Sequence, residues 1–326
     1  MKVLIIGMGS MGRRRLKILL ARDLNNVIGC VDKSANRLKE IKIDTSVQMF
    51  EDYKEAIEVM SPDIAFVCTS PDTHYGIIKD CLINKVSVFS EISLINENHD
   101  ELLNLAEENE CKLFFSSTPL YREEIIYISN RVHEQSGRVN YIYHVGQYLP
   151  DWHPWESYKD FFVFNTRTNG CREIFCVELP WLIKAFGEIR TFKAIKNKIS
   201  NLELDYPDSY FVTLEHQNGN QGVLCIDLVS RSSVRRLEVY GENLMLDWDG
   251  KPTGLRELEI QNKTWASVDL YEKVLRDEKY SDRIIENMYY NEVNAFFDYL
   301  VDEQVVTHTG IEDIKMLKLV DEIEGR

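Results

Sequence analysis

Val3-Leu4-Ile5-Ile6-Gly7-Met8-Gly9-Ser10-Met11-Gly12 is the stretch that decides the fold of this chain. An apolar run breaks into glycines spaced GxGxxG, and a helical stripe of Leu16, Leu19 and Leu20 follows. A second apolar run from Val27 ends on Asp32, 20 residues past Gly12. Strand, glycine turn, helix, strand and acid in that order are what binding a dinucleotide through its pyrophosphate requires. Gly7 permits the tight turn, Gly9 lets backbone approach the phosphates, and Gly12 lets the helix pack closely on the strand. Ser10 and Met11 open the helix, whose first N–H groups are unpaired and partly positive. Arg13, Arg14 and Arg15 oppose the macrodipole in that first turn. A bound anion would relieve whichever points at it, while the others would be solvated or paired with acids elsewhere.

Working outward, residues 1–120 alternate strand and helix. Strands are expected at Val27–Asp32, Val47–Phe50, Ile64–Cys68, Val86–Phe89 and Lys112–Ser116, with helices at Asp52–Met60, Thr73–Asn84 and Glu97–Glu110. Repeated βα units of this kind give a doubly wound parallel sheet covered on both faces, an α/β Rossmann domain. After Pro119 a helix over Arg122–Glu134 leads into strand-like alternation from Val139 to Asp247. One helix, Glu178–Phe186, interrupts it, and Asn218-Gly219-Asn220 marks a hairpin. Residues 121–326 therefore read as an α+β substrate and oligomerisation domain with an open, mostly antiparallel sheet. The closing helices within 289–326 could pack back on the first domain.

The 326 residues suit two domains, and 44% hydrophobic content with 16 Tyr and 14 Phe fills real cores. The 38 basic residues against 53 acidic leave −15, which argues against nucleic acid as a partner. No apolar run approaches the length of a membrane span, and the first is too short for a signal peptide. Seven scattered cysteines fit reduced thiols in the cytoplasm. Cys171 and Cys176 lack a second pair, so no metal site is expected there.

The glycine turn, Thr69-Ser70-Pro71 with His74 after a buried strand, Glu91 after the next strand and the closing helix pair together resemble the Gfo/Idh/MocA family. That resemblance implies an NAD(P)-dependent oxidoreductase of sugars, cyclitols and related compounds, and a homodimer or homotetramer built on the open sheet. It implies that Gly7, Gly9, Ser10, Met11 and Gly12 hold the pyrophosphate, Asp32 the adenosine ribose, and Thr69, Ser70 and His74 the cofactor's flank. Glu91 would stand near the nicotinamide ribose. A carboxylate at Asp32 favours NAD, while Lys33, Ser34 and Arg37 leave room for the 2′-phosphate of NADP.

The family's Glu-Lys-Pro reads Glu91-Ile92-Ser93 here, and Ile92 at the substrate position cannot carry a proton. The family's Asp-x-Gly-x-His turn falls near Asn169–Leu179, with Glu173 in place of the aspartate and Val177 in place of the histidine. Proton transfer would then pass to Glu173 or Glu178, given burial that raises a carboxyl pKa, or to His153. Trp152 and Trp155 would stack on a sugar-like substrate or pack a core, and Arg172 would bind an anionic group on it. Two further readings keep the nucleotide site: a catalytically silent nucleotide- or sugar-binding regulator, and a non-redox enzyme with a recycled NAD.

Overall fold

The computed structural model describes residues 1–22, 27–41, 47–154, 156–278, 280–302 and 306–326. The chain divides into two compact units, Met1–Ser116 with Glu292–Leu317, and Ser117–Asn291 with Lys318–Arg326.

In the first unit, β1 (Lys2–Ile6), β2 (Val27–Val31), β3 (Gln48–Phe50), β4 (Ile64–Val67), β5 (Ser87–Ser90) and β6 (Leu113–Phe115) make a parallel sheet in the order β3-β2-β1-β4-β5-β6. The helices between them are α1 (Ser10–Ala21), α2 (Ala35–Lys39), α3 (Tyr53–Met60), α4 (His74–Ile83) and α5 (His99–Glu108). Strand order reverses between β1 and β4, so their carboxyl ends leave a crevice where this kind of sheet takes ligands. Both strands are apolar because helices cover both faces: Val3, Leu4, Ile5, Ala65, Phe66 and Val67 are fully buried. Phe66, Phe89 and Phe114 stack at 4.9 and 5.0 Å, and Phe296 meets all three edge-on. Each such pair contributes about 1 kcal/mol beyond the area it buries. Local signals set the helix ends: Asp52 caps α3 by accepting from the amides of Lys54 and Glu55, and Ser61 closes it at φ 47°.

The second unit runs α6 (Glu123–His133), β7 (Val139–Gly146), α7 (Gly170–Phe186), β8 (Ile189–Asn197), β9 (Ser209–His216), β10 (Gln221–Asp227), β11 (Val234–Gly241), β12 (Met245–Trp248), β13 (Leu255–Glu259) and β14 (Thr264–Ser267). The strands form one sheet in the order β14-β13-β12-β11-β7-β10-β9-β8. Neighbours are antiparallel except β10 on β7, which run parallel in register from Gln221 on Asn140 to Asp227 on Gly146. Along β7, Val139, Tyr141, Tyr143 and Val145 are buried while Ile142 is exposed, the alternation of a sheet with one covered face. The hairpin at Asn218-Gly219-Asn220 joins β9 to β10, with Gly219 at φ +87°. The closing helices α8 (Glu286–Val301) and α9 (Gly310–Glu324) contribute residues to both units.

Two differences from the sequence-based expectation stand out. β13 and β14 extend the sheet; their mixed sequences, LRELE and TWAS, carry little of the alternation that marks a strand. Helix α7 begins at Gly170 rather than Glu178, capped by Asn169, whose Oδ1 accepts from the Arg172 amide at 2.8 Å. Pro180 thus lies inside the helix, where it removes one ladder hydrogen bond. Burial offsets that loss, since Phe175, Leu179, Trp181 and Leu182 are fully covered.

Near its start, α7 is tied to the end of α9. The Arg172 guanidinium, 2% exposed, pairs with Asp321 at 2.7 Å and with buried Glu324. Removing the cation leaves buried Glu324 to Arg326 at 3.1 Å and Asn169 at 2.6 Å, so Arg172→Met should lower the unfolding free energy by about 2 kcal/mol in urea titrations. A loss below about 1 kcal/mol would show that water already screens the pair.

Candidate functional site

The glycine loop of the first unit has the geometry its spacing implies. Gly7 sits at φ +94°, and a Cβ there would lie 2.7 Å from the Cys68 carbonyl oxygen. A Cβ on Gly12 would lie 1.8 Å from the Gly7 oxygen, so α1 can approach β1 only with hydrogen at that position. At Gly9 a Cβ would meet nothing within 4 Å. Internal packing therefore does not demand glycine there; the space is open to a ligand. No side chain caps α1, whose N-cap is Gly9, and the amides of Ser10, Met11 and Gly12 lie in its first turn. A diphosphate fits this cradle.

Asp32, 8% exposed, stands at the end of β2. Its Oδ2 accepts from the Met8 amide and its Oδ1 from the Ser34 amide, both at 2.8 Å. The acid thus braces the glycine loop from the end of β2. Arg37 approaches Oδ2 at 3.6 Å and is half exposed, and Lys33 is exposed beside it.

After β4, Thr69 and Ser70 form the next edge of the crevice. The Thr73 hydroxyl bonds Thr69 Oγ1 at 2.7 Å and donates to the Ser70 carbonyl at 2.8 Å. His74 is buried beneath this segment, and its Nε2 donates to the Thr69 carbonyl at 3.0 Å. That bond puts the proton on Nε2, and burial lowers the imidazole pKa, leaving the ring neutral. His74 therefore shapes the loop from below rather than offering its Nε2 to a ligand.

Of the three arginines, Arg13 pairs on the surface with Glu40. Arg14 donates to Met11 Sδ at 3.1 Å. Arg15 is fully buried: its Nε donates to Glu91 at 2.6 Å and its Nη2 to Glu292 at 2.7 Å. Ser116 Oγ donates to the other oxygen of Glu292 at 2.8 Å. Burial disfavours the Arg15 charge, but the two carboxylates outweigh it and hold the guanidinium ionised. The same burial pushes the Glu292 carboxyl up against the pull of Arg15. Glu91 is thereby fixed in place by a partner network that includes a residue 277 positions from Arg15. Ile92, just after it, is half buried and titrates nothing.

In the second unit the acid–base candidates separate. Glu178 is fully buried and already engaged: Tyr143 Oη and Trp181 Nε1 donate to its Oε2 at 2.7 Å, and Arg235 holds its Oε1. A carboxylate held by three donors in this way organises the core rather than standing open to a substrate proton. Glu173 is the opposite case. It lies near the start of α7, with Oε2 sealed from water and without a hydrogen-bond partner among the described residues. Part of the residue remains accessible, but desolvation pushes its carboxyl pKa up to about 7. His153 faces Glu156 at 2.9 Å and Phe161 edge-on, and burial lowers its pKa against the pull of Glu156. With Trp152, Tyr158 and Phe161 it walls an aromatic recess. Trp152 donates from Nε1 to the Gln147 carbonyl at 3.2 Å. Trp155 lies outside the described residues. Arg172, a candidate anion binder, is committed to Asp321 and Glu324 and is not available to substrate.

The glycine positions make a paired test. Gly9→Ala should change stability by less than about 0.5 kcal/mol, yet weaken calorimetric NADH binding at least tenfold. Gly12→Ala should destabilise the protein measurably, since its Cβ strikes backbone. Equal NADH affinity in Gly9→Ala would mean that no phosphate approaches this loop.

Residues 1–117 match the sequence model of a family described as "Oxidoreductase family, NAD-binding Rossmann fold". No curated protein sequence matches the chain. Solved structures resemble it over nearly its whole length. UDP-N-acetylglucosamine 3-dehydrogenase from Acidithiobacillus ferrooxidans is 17% identical, with 100% of this chain and 97% of that one covered at a TM-score of 0.76. An oxidoreductase from Agrobacterium radiobacter, in complex with NAD+, L-tartaric acid and magnesium, is 13% identical with coverages of 100% and 96% at 0.83. Biliverdin reductase from Synechocystis, with biliverdin and NADP+, is 15% identical with coverages of 99% and 97% at 0.77. At these identities the likeness shows the fold, while the family match covers the first 117 residues. Residues 1–117 thus match the Gfo/Idh/MocA oxidoreductase family model, with its NAD-binding Rossmann fold.

Proposed function

We propose that this chain is an NAD(P)-dependent dehydrogenase or reductase acting on a CH–OH group of a sugar, nucleotide sugar or sugar-derived acid, with Glu173 as its proton carrier. The observation that carries the proposal is the Glu173 carboxyl, whose Oε2 is sealed from water with no hydrogen-bond partner among the described residues and whose pKa is pushed up to about 7. A group that titrates there can take a hydroxyl proton or return one at neutral pH. When bound, the nicotinamide cofactor supplies the hydride acceptor or donor. The amides of the Gly7–Gly12 loop would hold its pyrophosphate and Asp32 its adenosine ribose, with Thr69, Ser70 and Glu91 along the remainder. Asp32 sets a preference for NAD, because a carboxylate repels a 2′-phosphate; Arg37 offsets part of that repulsion. The aromatic recess around Trp152 and His153 favours a substrate with a stackable sugar face. Among the named structural neighbours, one acts on a nucleotide sugar and another binds a tetrapyrrole, so the substrate class rests on this chain's own recess. The open sheet face, with Ile142, Ile195, Phe211 and Tyr240 exposed, supports assembly into a homodimer or homotetramer.

Glu173→Gln should lower kcat for sugar-type substrates about 10²- to 10⁴-fold and leave NADH affinity unchanged. Full turnover in that variant would remove Glu173 from the mechanism. NADH binding by the wild type without turnover of any sugar, nucleotide sugar or sugar acid would favour the regulatory binding protein.

Glu173 also predicts a pH dependence of stability. Its folded pKa of about 7 lies above the ordinary 4.5, so between those values the folded state holds a proton that the unfolded state has lost. Stability of the wild type relative to Glu173→Gln should therefore be greatest near pH 4.5, fall as pH rises to about 7, and level off above it. The total difference should be about 1–3 kcal/mol. A pH-independent difference in urea midpoints would show that the carboxyl is hydrated.

A further inference from the structure

The open face of the eight-stranded sheet carries a cluster that neither the cofactor cradle nor the proton carrier uses. On the parallel β7–β10 pair, His144 lies directly opposite Cys225, and Asp227 opposite Gly146. Positions two apart on a strand share a face, so all three side chains stand together on the side away from the buried Tyr141 and Tyr143. One ligand atom from each of His144, Cys225 and Asp227 lies within 4.8 Å of the others. We propose that His144, Cys225 and Asp227 form a binding site for a zinc-type divalent metal ion.

The donor set suits that ion. One imidazole, one thiolate and one carboxylate are the borderline N, S and O ligands of zinc, and three protein ligands with an open fourth position is the arrangement of exchangeable sites. His144 Nε2 and Asp227 Oδ2 are now 2.7 Å apart. Bonds of about 2.0–2.1 Å to a shared tetrahedral ion would require the pair to open by roughly 0.6 Å. The carboxylate is already oriented: Asp227 Oδ1 accepts from the amides of Val229 and Ser230, and Oδ2 from the Ser230 hydroxyl. Such outer contacts fix a ligating group before the metal arrives. A Cβ at Gly146 would lie 2.3 Å from Asp227 Oδ2, so glycine is what leaves the carboxylate its place.

Cys225 is also within hydrogen-bond reach of the His144 imidazole, so all three donors converge on one point. Five of the seven cysteines are buried, whereas Cys225 is partly accessible and stands beside the imidazole. Arg236, opposite His144 on β11, is the cation facing the cluster, and Glu238 and Asp247 engage its charge at 3.2 and 3.3 Å. The competing occupant is a proton shared by His144 and Asp227. Binding would release it, along with the thiol proton, to solvent.

Cobalt(II) titration of the chelator-stripped, full-length protein tests the site. One equivalent should bind with a thiolate-to-cobalt charge-transfer band that zinc then abolishes. Cys225→Ser should lose the band, and His144→Asn should weaken binding at least tenfold, both with metal-free melting curves like the wild type's. Should Cys225→Ser fail to fold, His144→Asn decides. The proposal is overturned if the wild type shows no such band, if the band survives in Cys225→Ser, or if His144→Asn binds cobalt as tightly as the wild type.

Discussion

The approach of α1 to β1 is the constraint on which the nucleotide site depends. Gly7 at positive φ turns the chain under Cys68, and Gly12 lets the helix settle against the Gly7 carbonyl, where any Cβ would collide. These contacts aim the first amides of α1 at the strand-order reversal, where the unpaired N–H groups and the helix dipole favour an anion. Asp32 completes the arrangement from β2 by bonding the Met8 amide, so this acid fixes the loop that would hold the phosphates. The contacts that fold this loop are also the ones that leave its amides open to a phosphate.

A second organising element is charge held without water. Arg15 lies between Glu91 and Glu292, and its charge persists because two carboxylates outweigh its desolvation. Within the second unit, Arg172 ties α7 to α9 in the same manner, and Glu178 is surrounded by Tyr143, Trp181 and Arg235. Satisfied carboxylates of this kind hold structure. Glu173 differs because its Oε2 has no partner among the described residues, and that difference in environment, rather than residue type, is what makes it the proposed proton carrier.

Much of the first unit was legible in the sequence, since strand lengths, glycine spacing and Asp32 all follow from short-range rules. Less of the second unit was. Pro180 resembles a first-turn proline, which hid the true start of α7 at Gly170. β13 and β14 carry too little alternation to announce themselves. The site residues divide similarly. The glycine loop and the buried Asp32 follow from spacing, whereas the fates of Arg15, Arg172 and Glu178 depend on partners as far as 277 residues away. His74 has a local signature, but its role beneath Thr69 becomes apparent only once the loop is folded. The triangle of His144, Cys225 and Asp227 arises from the parallel pairing of β7 with β10, a register that no local pattern encodes.

These elements give a chain whose first unit is built to hold a nicotinamide dinucleotide and whose second unit keeps a carboxyl near neutrality. Calorimetric titration of the full-length wild type with NADH and with NADPH tests that account most directly. Binding of NADH at one site per chain, several-fold tighter than NADPH because Asp32 repels the 2′-phosphate, is the predicted result. Absence of heat with both nucleotides would contradict it.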